Sequence, residues 1–264
     1  MDGLQSVALV LFCCAAHLEV FTIAGKSALV TGGSRGIGAA IVRRLAGDGA
    51  SVAFTHAASE QHAKSLVAGV LATVGVALAM RADSADANAL KSTVDQAAET
   101  FGHLDILVNN AGVLLRGLVD EFSLDDFDRM VAINIRAVFV AVKAAVPHLR
   151  EGGRIITTGS VTADRSAFAG ASVYSMSKGA VAALTRGLAR DLGPRGITAN
   201  VIQPGPTETD MNSNADVNAT LRRLMAIGRM GKDVEIASLV AYLASPEASF
   251  ITGAAITIDG GYLA

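Results

Sequence analysis

A phenol and an ammonium stand four residues apart in the stretch YSMSK, Tyr174 to Lys178. In a helix, residues at i and i+4 share a face, so the lysine can reach the surroundings of the tyrosine. A phenol of ordinary pKa near 10 is a poor base at neutral pH, and making it one needs roughly 4 kcal/mol of preferential stabilisation of the phenolate. A nearby cation has the right sign for that. On spacing alone, the same pair also describes the edge of any solvated helix. Upstream, Ser160 ends the apolar run GRIITTGS, where a hydroxyl can donate to an oxygen that gains negative charge. A serine that merely caps a turn has the same address.

A second chemical feature is TGGSRGIG, Thr31 to Gly38, which follows an apolar run and opens a stretch of helical period. Glycines at 32, 36 and 38 let the chain turn sharply and let a pyrophosphate approach the N–H groups of a helix N-terminus. The spacing is G-x-x-x-G-x-G, which departs from the commoner dinucleotide pattern G-x-G-x-x-G.

These residues need a scaffold, and the chain alternates short β-branched runs with longer stretches of helical period, the order of βαβ units. Seven runs are expected to be strands: KSALVTG, SVAFTH, GVALAMRAD, DILVNNAG, GRIITTGS, ITANVIQPG and AAITIDGG. They are mostly continuous rather than alternating, as strands buried on both faces are. GAAIVRRLAGDG and VAALTRGLARDLGPRG read as crossover helices that stop at glycine. In the latter, Val181, Leu184, Leu188 and Leu192 share a face, with Arg186, Arg190 and Asp191 elsewhere. The predicted fold is α/β, a doubly wound, seven-stranded parallel sheet with helices on both faces, in one domain over residues 25–264. An irregular segment over about 204–231 is expected to be a substrate lid.

Composition narrows the function. Hydrophobic residues make up 51% and charged residues 17% of 264, which suits a sizeable core. A formal charge of −2 gives no general field for nucleic acid or anionic membrane, so neither is expected as a partner. Cys13 and Cys14 are adjacent and cannot staple distant parts of a fold, which points to a reducing, cytoplasmic setting. SVALVLFCCAA, near the start, is too short to span a bilayer and lacks the basic flank of a secretory signal. Residues 1–24 are therefore read as a loosely attached extension, with export a minor alternative. The five scattered histidines have no zinc spacing, and no metal is expected.

With these motifs stand NNAG at 109–112, Asn134 within INI, PGPTET at 204–209 and ITGAAITIDGG near the end. Taken together, in this order, they make the chain resemble the short-chain dehydrogenase/reductase family, of the compact type that includes 3-oxoacyl-acyl-carrier-protein reductases, from about Gly25 to Gly261. The resemblance implies a Rossmann-type fold and an oxidoreductase in which Tyr174 gives a proton to a carbonyl being reduced. Lys178 would lower the tyrosine's pKa and hold the nicotinamide ribose, Ser160 would donate to the substrate oxygen, and Asn134 would hold a water for proton relay. Gly32, Ser34, Arg35, Gly36, Ile37 and Gly38 would cradle the cofactor. Asp83 would border the adenine, Asn110 and Gly112 would line the cofactor, and Pro204, Gly205 and Thr209 would meet its nicotinamide end. Ser160 precedes Tyr174 by one residue more than in many members, and Thr158 or Ser172 are the nearest replacements should it not be the donor. A homotetramer through the helices after the fourth and fifth strands is also implied.

Beyond the second strand, in SVAFTHAASE, the position where a carboxylate would repel a 2′-phosphate is near His56, with Ser59 following, and Arg35 projects from the glycine turn. NADP(H) is therefore expected over NAD(H), and reduction of a small-molecule carbonyl over oxidation of an alcohol. A 3-oxoacyl thioester is the leading substrate, with sugar, steroid, polyketide or small alcohol chemistry as the rival. Met211, Leu221, Leu224, Met225 and Met230 give the lid apolar character, and Arg222, Arg223 and Arg229 offer a basic rim. A different class is a nucleotide-binding regulator without turnover. Some related sequences described as binding a cyclic dinucleotide carry a similar segment before the tyrosine, here Asp164, Arg165, Ala169 and Gly170.

Overall fold

The computed structural model describes residues 23–73, 75–209 and 215–264. All seven expected runs are strands: β1 (Ser27–Val30), β2 (Ser51–His56), β3 (Val76–Arg81), β4 (Leu104–Asn109), β5 (Leu149–Thr158), β6 (Thr198–Pro204) and β9 (Ala255–Ile258). They form one sheet in the order β3-β2-β1-β4-β5-β6-β9, and every pairing in it is parallel. Strand order reverses between β1 and β4, and ligands of such sheets bind in the crevice at that switch point.

Both faces of the sheet are covered, which is why its inner strands read as unbroken apolar runs. Ala28 and Val30 of β1 point into a core shared with α1 (Gly36–Gly47), α2 (Glu60–Leu71) and, much later in the chain, α8 (Asp233–Ala244). Leu29, between them, points the other way, toward α3 (Ala87–Phe101), α5 (Ala137–Ala145) and α6 (Ser172–Leu192). The period of two along one strand thus divides the molecule into two layers. In α6, Val181 and Leu192 are buried, Leu184 and Leu188 are half-buried, and Arg186, Arg190 and Asp191 are exposed.

Three expectations need correction. The runs forming β3 and β9 are not buried on both faces: they are the two sheet edges, so Val76 is exposed and the residues of β9 are exposed or half-buried. The segment over 204–231 is not irregular throughout. It carries α7 (Ala215–Leu224) and one strand of a two-stranded pair, β7 (Thr207–Glu208) with β8 (Gly231–Lys232). Leu221, Met225 and Met230 pack it down against Val161 and Tyr262, and Leu224 is exposed; Met211 lies outside the described residues. Finally, the extension expected over 1–24 lies outside them up to residue 22, but Ile23 is already buried in the core.

Candidate active site

The C-terminal ends of β1 to β6 open into a cleft of about 530 Å³. Its floor begins at the glycine turn. Arg35, in extended conformation, precedes α1, and no side chain caps the helix and no acidic residue sits in its first turn, so the N-terminal N–H groups are free for an anion. Gly36 has φ +52, a left-handed conformation that suits glycine. Gly38 is required by space: a Cβ there would lie 2.2 Å from the Gly32 carbonyl oxygen and 2.5 Å from Asn110 Nδ2. Thr209, past β7, crosses back over the turn, its Cγ2 3.6 Å from where a Cβ on Gly36 would be.

NNAG braces this turn. Asn110 Nδ2 donates to the carbonyls of Thr31 (3.1 Å) and Gly32 (3.0 Å), while Thr31 Oγ1 accepts from the backbone N–H of Asn110 and of Ala111. On the other side, the Gly32 N–H donates to Thr55 Oγ1 at 2.9 Å. Asn110 thus lines the cleft as expected, but its amide is committed to locking β1 to β4.

The residues expected to react lie where β5 ends and α6 begins. Ser160 is nearly buried and accepts from the Thr162 N–H at 3.2 Å, so it caps a turn and also faces the cleft. Tyr174 and Lys178 project from the first two turns of α6, with Lys178 Nζ 5.6 Å from the Tyr174 ring centre. Neither alternative to Ser160 competes: Thr158 Oγ1 turns toward Asn110 Oδ1 at 3.4 Å, and Ser172 is exposed outside the cleft.

Asn134 differs from the expectation. It sits behind the cleft wall, in a π-helical turn (Ala132–Arg136) between α4 (Leu124–Val131) and α5, and is buried. Its Oδ1 accepts from the Val113 N–H at 2.9 Å, and its Nδ2 donates to the Val113 carbonyl (2.9 Å) and to Ser177 Oγ (3.1 Å). The side chain is engaged in clamping the loop after β4.

The electrostatics also depart from the sequence reading. Burial pushes the Tyr174 phenol up, opposed by its hydrogen bond with Ser160 and by the Arg116 guanidinium, so the net direction is upward. Lys178 is not among the groups that lower it. Buried itself, Lys178 is brought down to about 8 by desolvation and donates to the Thr158 carbonyl at 2.8 Å. The phenol is therefore held protonated, the state that can give a proton to a carbonyl oxygen. Since the lysine's folded value is depressed, its ammonium is present below about pH 8 and lost above it. If that charge helps to bind an anionic cofactor, kcat/KM for the cofactor, which reports the free protein, should fall above pH 8; a profile that stays flat through that region would contradict the assignment.

At the other end, His56 is buried at the tip of β2 and faces the cleft, and its Nδ1 has no hydrogen-bond partner. Ser59 and exposed Arg35 line the same end, and Glu60 is instead ion-paired with Lys64 at 2.8 Å on the first turn of α2. Asp83 borders the cleft with its Oδ1 accepting from the Ala85 N–H. An orphaned buried nitrogen, an uncapped helix start and a turn with no room for side chains fit a phosphorylated dinucleotide. Apart from Asn134, every residue expected from sequence to be catalytic or to bind the cofactor lines this one cleft.

Sequence reasoning missed Thr31, Thr55 and Ser177, which brace the site, and Arg116, Thr162 and Tyr262, which line it. Among the described residues there is no cluster of three or more His, Cys, Asp or Glu placed to hold a metal, and no helix long and apolar enough to cross a membrane.

Known proteins share this arrangement. Residues 32–263 match the family described as enoyl-(acyl carrier protein) reductase. A cyclic-di-GMP-binding biofilm dispersal mediator protein of Escherichia coli (strain K12) is 50% identical over 239 residues, 90% of this chain and 97% of that protein. Among solved structures, a short-chain dehydrogenase/reductase from Serratia marcescens BCRC 10948 superimposes with a TM-score of 0.90 at 57% identity, covering 92% of this chain and 99% of the other. A short-chain dehydrogenase from Burkholderia cenocepacia J2315, solved in complex with NADP, gives 0.89 at 53% identity with the same coverage. The chain belongs to the short-chain dehydrogenase/reductase family of NAD(P)-dependent oxidoreductases.

Proposed function

We propose that the protein is an NADPH-dependent carbonyl reductase with Tyr174 as proton donor. The observation that carries this reading is one cleft lined both by Ser160, Tyr174 and Lys178 and by the glycine turn that opens α1. Gly32, Ser34, Gly36, Ile37 and Gly38 would hold the pyrophosphate. Arg35 and His56 would meet the 2′-phosphate, Asp83 the adenine, and Asn110, Gly112, Pro204, Gly205 and Thr209 the nicotinamide half. When bound, the reduced nicotinamide supplies the hydride. Ser160 donates a hydrogen bond to the substrate oxygen as its charge builds, and Tyr174 gives that oxygen its proton, so C=O becomes CH–OH. Lys178, whose Nζ lies 5.6 Å from the ring centre, then stands near the phenolate until a proton returns.

NADPH is favoured by a histidine, His56, rather than a carboxylate at the tip of β2, by Arg35 at the same end of the cleft, and by the Burkholderia relative solved with NADP. We expect NADPH to exceed NADH by roughly tenfold or more in kcat/KM, because a hydrogen bond between charged groups is worth about 1.5–3 kcal/mol. Arg35→Ala should shrink that ratio mainly through NADPH. Equal rates with both cofactors would count against the phosphate site.

The 3-oxoacyl thioester has less support than reduction of a small ketone. Of the basic rim a carrier protein would use, Arg229 is paired with Glu235 at 2.6 Å and Arg222 lies 3.7 Å from Glu208. A second reading, a cyclic-dinucleotide-binding regulator, draws on the Escherichia coli relative and on Arg165, which stacks over the Tyr262 ring at 6.0 Å beside the cleft. NADPH oxidation across a carbonyl panel tests the two: turnover supports the reductase, and cofactor binding without turnover supports the regulator.

We also propose a homotetramer in a reducing, cytoplasmic setting. Exposed Phe139 on α5 and Met176 on α6 lie on the helices after β4 and β5 and would be covered by it. A monomeric mass by light scattering would remove that part.

A further inference from the structure

Among the described residues, the substrate half of the cleft holds a positive charge with no hydrogen-bond or ion-pair partner. Beyond Ser160 and Tyr174 its walls include Leu114, Ile133, Phe168, Leu221 and Tyr262. The carboxylate among the described lining residues, Asp83, follows the edge strand β3. Ser160 follows β5, four strands away and hence roughly 19 Å across the sheet. Arg116 lines this half from the loop between β4 and α4, and is exposed to solvent.

Seven of the sixteen arginines have other commitments. Arg44, Arg222 and Arg229 pair with carboxylates, Arg136, Arg154 and Arg195 donate to backbone carbonyls, and Arg165 is stacked on Tyr262 and donates to its carbonyl at 3.4 Å. Arg116 makes no hydrogen bond or ion pair among the described residues. Its loop is nonetheless held in place, because the N–H of the next residue, Gly117, donates to the Gly170 carbonyl at 3.1 Å. It lines the cleft together with Tyr174 and Tyr262, and its charge favours the ionised form of both phenols. Arg129 also borders the cleft, from α4, a helix that itself carries Asp125, Asp126 and Asp128.

Resting on the reductase reading above, we propose that this half takes a carbonyl compound bearing an anionic group, with Arg116 as the specificity-determining residue that reads the anion. Phe168 and Tyr262 then flank the carbon framework. The chemistry balances as ordinary carbonyl reduction, with the anion a spectator that is bound and not transformed. Because Arg116 is exposed, the preference is moderate and weakens with added salt.

The test compares 4-acetylbenzoate with its neutral counterpart 4-acetylbenzamide, using NADPH. In the wild type the ratio of their kcat/KM values should favour the carboxylate by about tenfold, the gain of one charge-assisted hydrogen bond. The ratio should fall toward one in Arg116→Met, take an intermediate value in Arg116→Lys, and decline with ionic strength. A ratio near one in the wild type, or one unchanged in Arg116→Met, overturns the inference and leaves the reductase reading standing. If neither ketone is reduced, that reading fails, and calorimetric titration of 4-acetylbenzoate into the Tyr174→Phe protein with NADPH decides the anion site. Salt-sensitive binding lost on adding Arg116→Met supports it, and binding indifferent to Arg116 overturns it.

Discussion

Tyr174→Phe is expected to lower the rate of carbonyl reduction by about 10³-fold, within the 10²–10⁴ range of positioned proton transfer. The ring is kept and only the hydroxyl goes, so the fold and NADPH affinity should survive. Burial holds this hydroxyl protonated, and Ser160 hydrogen-bonds to it. Ser160→Ala should act less severely, by about 10²-fold, since it removes a donor to the developing oxyanion and leaves the proton source in place. Single-turnover NADPH oxidation, with fluorescence titration of NADPH, separates the two steps. A Tyr174→Phe protein within tenfold of wild-type turnover would move the proton donor elsewhere.

Gly38→Ala should act on cofactor binding before chemistry. The added methyl would meet the Gly32 carbonyl oxygen at 2.2 Å and Asn110 Nδ2 at 2.5 Å, and those two atoms are themselves hydrogen-bonded at 3.0 Å. Neither can swing aside as the tip of a flexible side chain would, so the turn must open. Overpacking of this kind destabilises by about 1–3 kcal/mol, which corresponds to roughly ten- to a hundredfold weaker NADPH binding if the strain is concentrated at the turn. The loss should appear in calorimetric titration together with a melting point lower by several degrees. Gly47→Ala, at the far end of the same helix and with nothing within 4 Å of its new methyl, is the control and should be neutral. Equal NADPH affinity in both variants would refute the steric account.

The parts of the molecule legible in the sequence were those set by local pattern. Val30, Phe54 and Val108 sit in continuous apolar runs because helices cover both faces of β1, β2 and β4. The same reasoning overreached at β3 and β9, since which strands become edges depends on the order of pairing and not on the strand's own residues. In the site, Tyr174 and Lys178 were legible as a pair one helical turn apart, and the glycine turn by its place between strand and helix. The lysine's electrostatic role was not. Its burial and its bond to the Thr158 carbonyl come from β5, twenty residues earlier, and its effect depends on that packing. Asn134 was found by motif, yet the clamp it makes on Val113 requires the π-helical turn that aims it. Arg116 and Tyr262 escaped notice because they reach the cleft from a loop and from the C-terminal segment, positions related to Tyr174 only by folding.

The most direct test is a crystal structure of the protein with NADPH bound. The account predicts the nicotinamide beside Tyr174 and Ser160, the pyrophosphate against the N–H groups of residues 36–38, and the 2′-phosphate against Arg35 and His56. A nicotinamide seated away from the Tyr174 hydroxyl, or a cofactor bound outside the glycine turn, would contradict it.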